Sequence, residues 1–339
     1  MIDAETGTTF TRLTEGPRRN RHTAGGISPF SPDGTKIVYS SGSFDLDGTA
    51  RIMLTGITGG AHWKIADNAN YSTLAGASAK WSVDGNGIYY QGNDDREKFV
   101  WFSGSREIGP LIRHLSPDGC SGVWRESAEF KIGSGRDICL IDLETLETRV
   151  IIHIDDVIEL CNPDVSSSSH PLQNPQFSPD GKKLIFSTIW GDLLCAVPRV
   201  CYCGKMGLVY LGKRGHCTWH PDSERVIGVR VGDDGIPGIC EIRWDGTEDR
   251  WITRDRKVYG TPGSHPVYSP DGLMVASEGS ATNAFAVFVF DVEGNGGKFV
   301  NCPDSVTQMN PVFSPDGTKI LYVSDVDGAP QIHIAEVPK

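Results

Sequence analysis

Phe-Ser-Pro-Asp-Gly at residues 313–317 is the last of seven copies of one short motif, and this motif decides the fold. The six earlier copies, some with substitutions, occupy residues 30–34, 81–85, 115–119, 177–181, 219–223 and 268–272. The six intervals between the motif aspartates cover 283 residues, a mean period of about 47. A period of this length is typical of the four-stranded blades of a β-propeller.

The motif and its surroundings have the chemistry of a strand, a tight turn and a second strand. Proline presets φ, aspartate bonds the turn backbone, and glycine accepts a positive φ. The second strand that follows carries β-branched residues, as in Lys-Ile-Val-Tyr-Ser-Ser at 36–41. A third strand then ends in aspartate, as at 138–142 and 287–291, and a fourth strand follows a turn with Gly or Glu. Each repeat is therefore predicted to form four antiparallel strands.

The two ends of the chain complement each other. The last repeat stops after its third strand, at residues 332–337, and residues 8–14 read as the fourth strand of a blade. Pairing these segments would remove an exposed sheet edge. The sequence predicts an all-β, seven-bladed β-propeller that forms a single domain over residues 1–339, with the N-terminal strand completing the last blade.

Composition excludes several classes of protein. A net charge of −11 and a pI of about 5.3 argue against a general nucleic-acid binder. No run of 18 apolar residues indicates a membrane span, and the polar start Met-Ile-Asp-Ala-Glu predicts no signal peptide and a cytoplasmic location. The nine cysteines, an odd number, favour buried thiols in a reducing compartment. The sequence leaves the oligomeric state open.

The approach position, defined as the residue five before the proline position of each turn, should lie at one mouth of the propeller channel. Blades 1 to 3 place Ile27, Ser78 and Ile112 there, whereas blades 4 to 7 place Asn174, His216, His265 and Asn310. His170 and Gln308 lie just upstream. Four consecutive polar approach positions predict an off-centre site, although such residues also hydrate a wet channel or bond neighbouring backbone.

Basic clusters occur in the connectors on the same face. They are Arg18, Arg19, Arg21 and His22 before blade 1, Lys213 and Arg214 before blade 5, and Arg254, Arg256 and Lys257 before blade 6. On an acidic chain, such clusters attract an anionic ligand. The alternative is that they are ordinary solvated loop residues.

The turn repeats resemble those of TolB-type propellers, and the whole chain resembles the oligogalacturonate lyases, a polysaccharide lyase family with a seven-bladed propeller. The resemblance is carried by Ala-Glu-Thr-Gly at 4–7, Thr-Arg-Leu-Thr at 11–14, Leu-Glu-Thr-Leu-Glu at 143–147, Ser-His at 264–265, and residues 311–317 and 323–328. It implies cleavage of an anionic, uronate-containing oligosaccharide by β-elimination, in a pectin-degrading role.

The resemblance also implies roles for particular residues. His216 matches the proposed base of the family, and His265 matches one histidine ligand of its manganese site. The other ligands are a glutamine and two histidines, where this chain has Ser305, Gln308 and Asn310. One imidazole and two amides make a weak transition-metal site. Manganese, a harder cation such as calcium, and no metal with a basic cluster in its place all remain open. Arg21, His22, Asn174 and Arg214 are predicted to contact the substrate.

The propeller fold is compatible with two other functions. A non-catalytic TolB-like propeller would use the same mouth to bind a peptide or protein. A hydrolase would need two carboxylates flanking its site, and the approach positions offer none. The lyase is the leading hypothesis.

Overall fold

The computed structural model describes the chain except for residues 24–26, 43–48, 71–78, 102–103, 127–131, 162–171, 189–197, 205–206, 255–264, 281–284, 303–304, 306, 327 and 338–339. Its strands form seven four-stranded antiparallel sheets. These are the seven predicted blades, so the all-β, seven-bladed propeller is confirmed.

The strands follow the repeats in chain order. Blade 1 contains β2 (Arg19–Arg21), β3 (Lys36–Gly42), β4 (Thr49–Gly56) and β5 (His62–Asn70), and blade 2 contains β6 (Lys80–Trp81), β7 (Gly87–Gln91), β8 (Glu97–Trp101) and β9 (Gly104–Gly109). Blade 3 contains β10 (His114–Leu115), β11 (Ser121–Arg125), β12 (Ile138–Asp142) and β13 (Thr148–Ile152). Blade 4 contains β14 (Leu172–Phe177), β15 (Leu184–Thr188), β16 (Pro198–Tyr202) and β17 (Leu208–Lys213).

The remaining blades continue the same order. Blade 5 contains β18 (Gly215–Trp219), β19 (Arg225–Val231), β20 (Pro237–Arg243) and β21 (Arg250–Thr253), and blade 6 contains β22 (Val267–Tyr268), β23 (Met274–Ser280), β24 (Phe285–Asp291) and β25 (Gly296–Cys302). Blade 7 contains β26 (Val312–Phe313), β27 (Lys319–Ser324), β28 (Gln331–Glu336) and the N-terminal β1 (Phe10–Arg12).

The N-terminal strand completes blade 7, as predicted. Phe10 pairs with Ala335 and Arg12 with His333 in antiparallel register. The carboxylate of Asp3 strengthens the closure because it accepts backbone N–H groups from both Thr6 (2.7 Å) and Asn301 (2.9 Å). The first and last parts of the chain are therefore joined by sheet hydrogen bonds and by a side-chain bridge.

The chain divides into two compact units. Unit 1 comprises Met1–Gly109 with Thr253–Lys339, and unit 2 comprises Pro110–Ile252. Each unit has its own core of fully buried aliphatic and aromatic side chains, with Ile320 and Tyr322 in unit 1 and Ile138 and Phe186 in unit 2. Burying such a side chain contributes about 1.5–3 kcal/mol. The single-domain assignment stays a prediction.

One helix was not predicted. α1 (Ile154–Cys161) occupies the acidic connector before blade 4, with Asp155 and Asp156 in its first turn, where a carboxylate complements the helix dipole. Asp137 accepts the backbone N–H of Ile154 at 2.9 Å, and Ile154 and Val157 are buried. Within the described residues, no helix is long and apolar enough to cross a membrane.

The turn motifs are built as their sequences predict. In blade 1, the Ser31 hydroxyl donates to Asp33 Oδ1 at 2.5 Å, and the same oxygen accepts the N–H of Thr35 at 3.0 Å. Gly34 has φ 70°. In blade 5 the glycine is replaced by Ser223, which adopts nearly the same backbone angle, φ 65°. The turn therefore imposes a left-handed residue even where the sequence does not supply glycine.

These turns predict acid sensitivity. Hydrogen bonds from Ser31 and Thr35 lower the pKa of Asp33 to about 2, and serine hydrogen bonds lower the pKa of Asp84, Asp118, Asp271 and Asp316 in the same way. A depressed folded-state pKa contributes stability above the unfolded value of 3.8, and this contribution is lost as pH falls through the folded value.

We expect Tm to fall between about pH 4 and pH 2, with up to about one proton taken up per turn aspartate on unfolding near the middle of this range. Thermal unfolding in a pH series measures the fall. The variant Ser31→Ala should flatten the slope because it removes the largest cause of the Asp33 shift. An unchanged slope in this variant would contradict the assignment.

Candidate active site

The approach positions of blades 4, 5 and 7 share an unusual backbone conformation. Asn174, His216 and Asn310 have φ values of 49°, 50° and 47°. Regular pairing is interrupted at the first two, between Gln173 and Gln176 and between Gly215 and Thr218. Asparagine and histidine are among the residues that best tolerate this left-handed region. Backbone geometry is therefore one reason for the residue types at these positions.

His216 is the predicted base. It lies at the irregular start of β18, half-buried between buried neighbours. The irregularity takes His216 out of the regular pairing between β18 and β19. Such irregularities redirect side chains at functional sites. Asn174, at the matching position of β14, is exposed. The catalytic role of His216 and the substrate contact of Asn174 stay predictions.

Arg214, predicted to bind substrate, has a buried place in blade 5. Its side chain is 2% exposed, and its Nη2 lies 2.7 Å from Asp249 Oδ2. Its Nη1 donates to the carbonyl of Leu211. Asp249 also pairs with Arg230 at 2.5 Å, and Arg230 lies over the ring of Trp251. The guanidinium is thus part of a network that anchors the chain just before His216.

In unit 1, His265 meets a buried carboxylate that the sequence analysis missed. Its Nδ1 lies 2.6 Å from Glu278 Oε1, and the two side chains are 13% and 2% exposed. Glu278 Oε2 accepts the backbone N–H of Asn310 at 2.8 Å and that of Met309. Glu278 therefore joins blade 6 to the connector that leads into blade 7.

The same connector receives Arg21 from blade 1. Arg21 is buried, and its Nη2 donates to the hydroxyl of Thr307. Ser305 donates to Asp325 Oδ1 at 2.7 Å, which also accepts the N–H of Thr307. The predicted residues Arg21, Gln308 and Asn310 are thus brought to one segment, the described residues of 305–310, which leave out Val306.

His22 is fully buried beside this segment. Its Nδ1 contacts the carbonyl of Thr23 at 2.8 Å. Burial lowers the pKa of His22 to about 4, with a further lowering by the charge of Arg21 and an opposing effect of Glu278. His22 is consequently neutral at physiological pH. His22 was predicted to contact the substrate as part of a basic cluster. Near neutral pH its imidazole is uncharged and adds no positive charge to that cluster.

The donors of this cluster can be compared with what a metal ion needs. Asn310 Oδ1 is buried and makes no hydrogen bond to the described residues, so it is an acceptor available to a cation. Gln308 is half-buried next to it, and His265 has its Nδ1 held by a carboxylate, as ligating histidines do. In the described part of the chain, no three His, Cys, Asp or Glu side chains converge. The donor set fits a hard, partly hydrated divalent cation.

Several residues of the sequence analysis lie outside the described residues, namely Ser78, His170, Arg256, Lys257 and Ser264. Glu278 had one signal in the sequence. Seven residues after each turn aspartate the chain has Ser40, Gln91, Arg125, Ser187, Val229, Glu278 and Val323, so Glu278 is the single acidic side chain at this position. A buried carboxylate is costly unless it is paired, which makes an isolated glutamate in a buried strand informative.

No protein-family model matches the chain. A curated oligogalacturonide lyase from Pectobacterium atrosepticum is 29% identical over 153 residues, which cover 36% of this chain and 37% of that protein. The match thus spans well under half of the relative's length.

Solved structures match over the whole chain. An oligogalacturonate lyase in complex with manganese superposes with TM-score 0.77 at 18% identity, covering 100% of this chain and 96% of that one. An oligogalacturonate lyase from Vibrio parahaemolyticus gives 0.73 at 19% identity, with the same coverage. TolB from Acinetobacter baumannii gives 0.53 at 17%, covering 83% of this chain and 65% of that one. The chain has the fold of the oligogalacturonate lyases, and the predicted resemblance is confirmed.

Proposed function

We propose that this protein is a lyase that cleaves uronate-containing oligosaccharides, of the oligogalacturonate type, by β-elimination. The observation that carries the proposal is the match of the entire chain to an oligogalacturonate lyase structure, with 96% of that chain covered. The local sequence match to a curated oligogalacturonide lyase supports the same chemistry.

The chemistry requires a base and a source of positive charge. His216 takes the proton α to the uronate carboxylate, and the electron pair forms an enolate-like carboxylate. The C–O bond β to the carboxylate then breaks, and the leaving oxygen receives a proton. The products are a conjugated, unsaturated uronate and a shortened saccharide.

Positive charge at the carboxylate stabilises the enolate. Arg21 brings a permanent cation to the 305–310 segment. His265, Gln308 and Asn310 would hold a divalent cation there, which when bound supplies further charge to the carboxylate. Asn174 is proposed to position the anionic sugar, whereas the buried Arg214 is proposed to hold the start of the strand that bears His216.

The test is an ultraviolet assay for unsaturated products on a panel of oligogalacturonates and other uronates. Each reaction is run with EDTA, Mn²⁺ or Ca²⁺. We expect product absorbance to appear with oligogalacturonate and to increase with a divalent cation. Binding of the sugars without any product would support the TolB-like binding alternative instead, and saturated products would indicate hydrolysis. Either result would overturn the proposal.

A further inference from the structure

The Glu278 carboxylate contacts three groups outside its own strand, namely the His265 ring and the backbone N–H groups of Met309 and Asn310. It lies in β23, 2% exposed, and each of its oxygens has a separate partner. We propose that Glu278 is a positioning residue. It keeps the proton of His265 on Nδ1, so that Nε2 carries the lone pair, and it fixes the backbone that bears Asn310. This inference rests on the proposed function for its purpose, since it states how the site of the lyase is assembled.

The direction of the hydrogen bond follows from the other oxygen. Oε2 accepts two backbone N–H groups, from Met309 and Asn310. A carboxylate offers acceptors only, and two backbone donors already use one of its oxygens. Oε1 must therefore accept as well, and His265 Nδ1 donates across 2.6 Å. In a neutral imidazole the lone pair then belongs to Nε2.

The pairing also links two elements that carry site residues. His265 precedes β22 in blade 6, whereas Asn310 precedes β26 in blade 7. One carboxylate contacts both, so the relative placement of the imidazole and the Asn310 backbone depends on a single side chain. Asn310 has φ 47°, a conformation that needs support from its surroundings. The two hydrogen bonds to Oε2 supply it.

The sequence position shows that the blade itself does not call for this carboxylate. The corresponding residues of blades 1, 4 and 7 are Ser40, Ser187 and Val323. Those strands form four-stranded sheets of the same kind without an acidic residue at this position. A buried acid costs free energy that small or apolar side chains at this position avoid. The requirement is therefore local to His265 and the 305–310 segment.

The test is Glu278→Gln, which preserves shape but offers one acceptor oxygen where two are used. In the wild type, long-range ¹H–¹⁵N NMR of the histidine rings should show His265 protonated on Nδ1, with the variant His265→Gln identifying the signal. In Glu278→Gln the proton should redistribute toward Nε2. We also expect Mn²⁺ affinity, measured by calorimetry, to fall by about 10–100-fold.

Glu241→Gln is the matched control because Glu241 is another buried carboxylate, bonded to Arg250 at 3.0 Å. It should cost stability and leave the His265 signal unchanged. A wild-type His265 protonated on Nε2 would overturn the inference without any variant, and so would an unchanged tautomer in folded Glu278→Gln. If the wild type releases no unsaturated product and the tautomer result holds, the proposed function fails while the role of Glu278 stands.

Discussion

Replacing His216 with asparagine is expected to reduce kcat for unsaturated product by about 10²–10⁴-fold, the usual contribution of a positioned general base. The amide cannot take a proton from the carbon next to the uronate carboxylate. Substrate binding should change far less, because His216 acts on the proton rather than holding the sugar. The loss should therefore fall on kcat and not on KM.

Asparagine is the appropriate replacement because of the backbone. His216 has φ 50°, and the matching residues Asn174 and Asn310 have φ 49° and 47°. Asparagine is thus already used at this position in two other blades. Alanine would confound the result, since a left-handed non-glycine residue costs on the order of 1 kcal/mol or more. Tm should stay within about 2 °C of the wild type in the asparagine variant.

The control is His153→Asn, a change in a histidine whose side chain is 62% exposed. It should leave kcat unchanged and change Tm little, because its contact with Asp137 at 3.4 Å is made by an exposed imidazole. The assay is the initial rate of ultraviolet absorbance on oligogalacturonate, with the protein concentration matched by folded fraction. Retention of more than about a tenth of wild-type kcat in His216→Asn would remove His216 as the base, since a general base contributes at least about 10²-fold.

The fold could be predicted because its information is local and repeated. Six of the seven turns specify themselves within five residues, through a serine, an aspartate and a left-handed residue, as Ser31, Asp33 and Gly34 illustrate. The N-terminal closure was also predictable, because a missing fourth strand at one end matched an extra strand at the other. The helix α1 was missed because eight residues are too few for a clear period.

The site was predictable only in part. His265 and Asn310 both occupy approach positions, which were predicted to lie at one mouth of the channel. In the structure, both contact one carboxylate, that of Glu278. The approach positions do not include Glu278, because that residue lies on β23, the second strand of blade 6. Nor could sequence show that Arg214 is buried, since a basic pair before a strand reads the same whether it faces solvent or a carboxylate. These outcomes depend on side-chain packing between segments that are distant in sequence.

Arg214→Met is expected to lower the free energy of unfolding by about 1.5–3 kcal/mol, the range for a hydrogen bond to a charged group. The guanidinium is 2% exposed, pairs with Asp249 at 2.7 Å and donates to the carbonyl of Leu211. Methionine fills much of the same volume, so the loss reports the polar contacts rather than a cavity. Urea unfolding followed by tryptophan fluorescence measures it.

Arg230→Met is the matched control because it removes a 28% exposed guanidinium from the same carboxylate. A more exposed pair contributes about 0–1 kcal/mol, so this variant should cost less than Arg214→Met even though it also removes the contact over Trp251. A double-mutant cycle of Arg214→Met with Asp249→Asn should give a coupling of about 1–3 kcal/mol. If instead Arg214→Met leaves stability unchanged and raises KM for oligogalacturonate, the guanidinium binds substrate, as the sequence alone suggested. The two roles are thus separable, because one is lost with the free energy of unfolding and the other with the affinity for the anionic sugar.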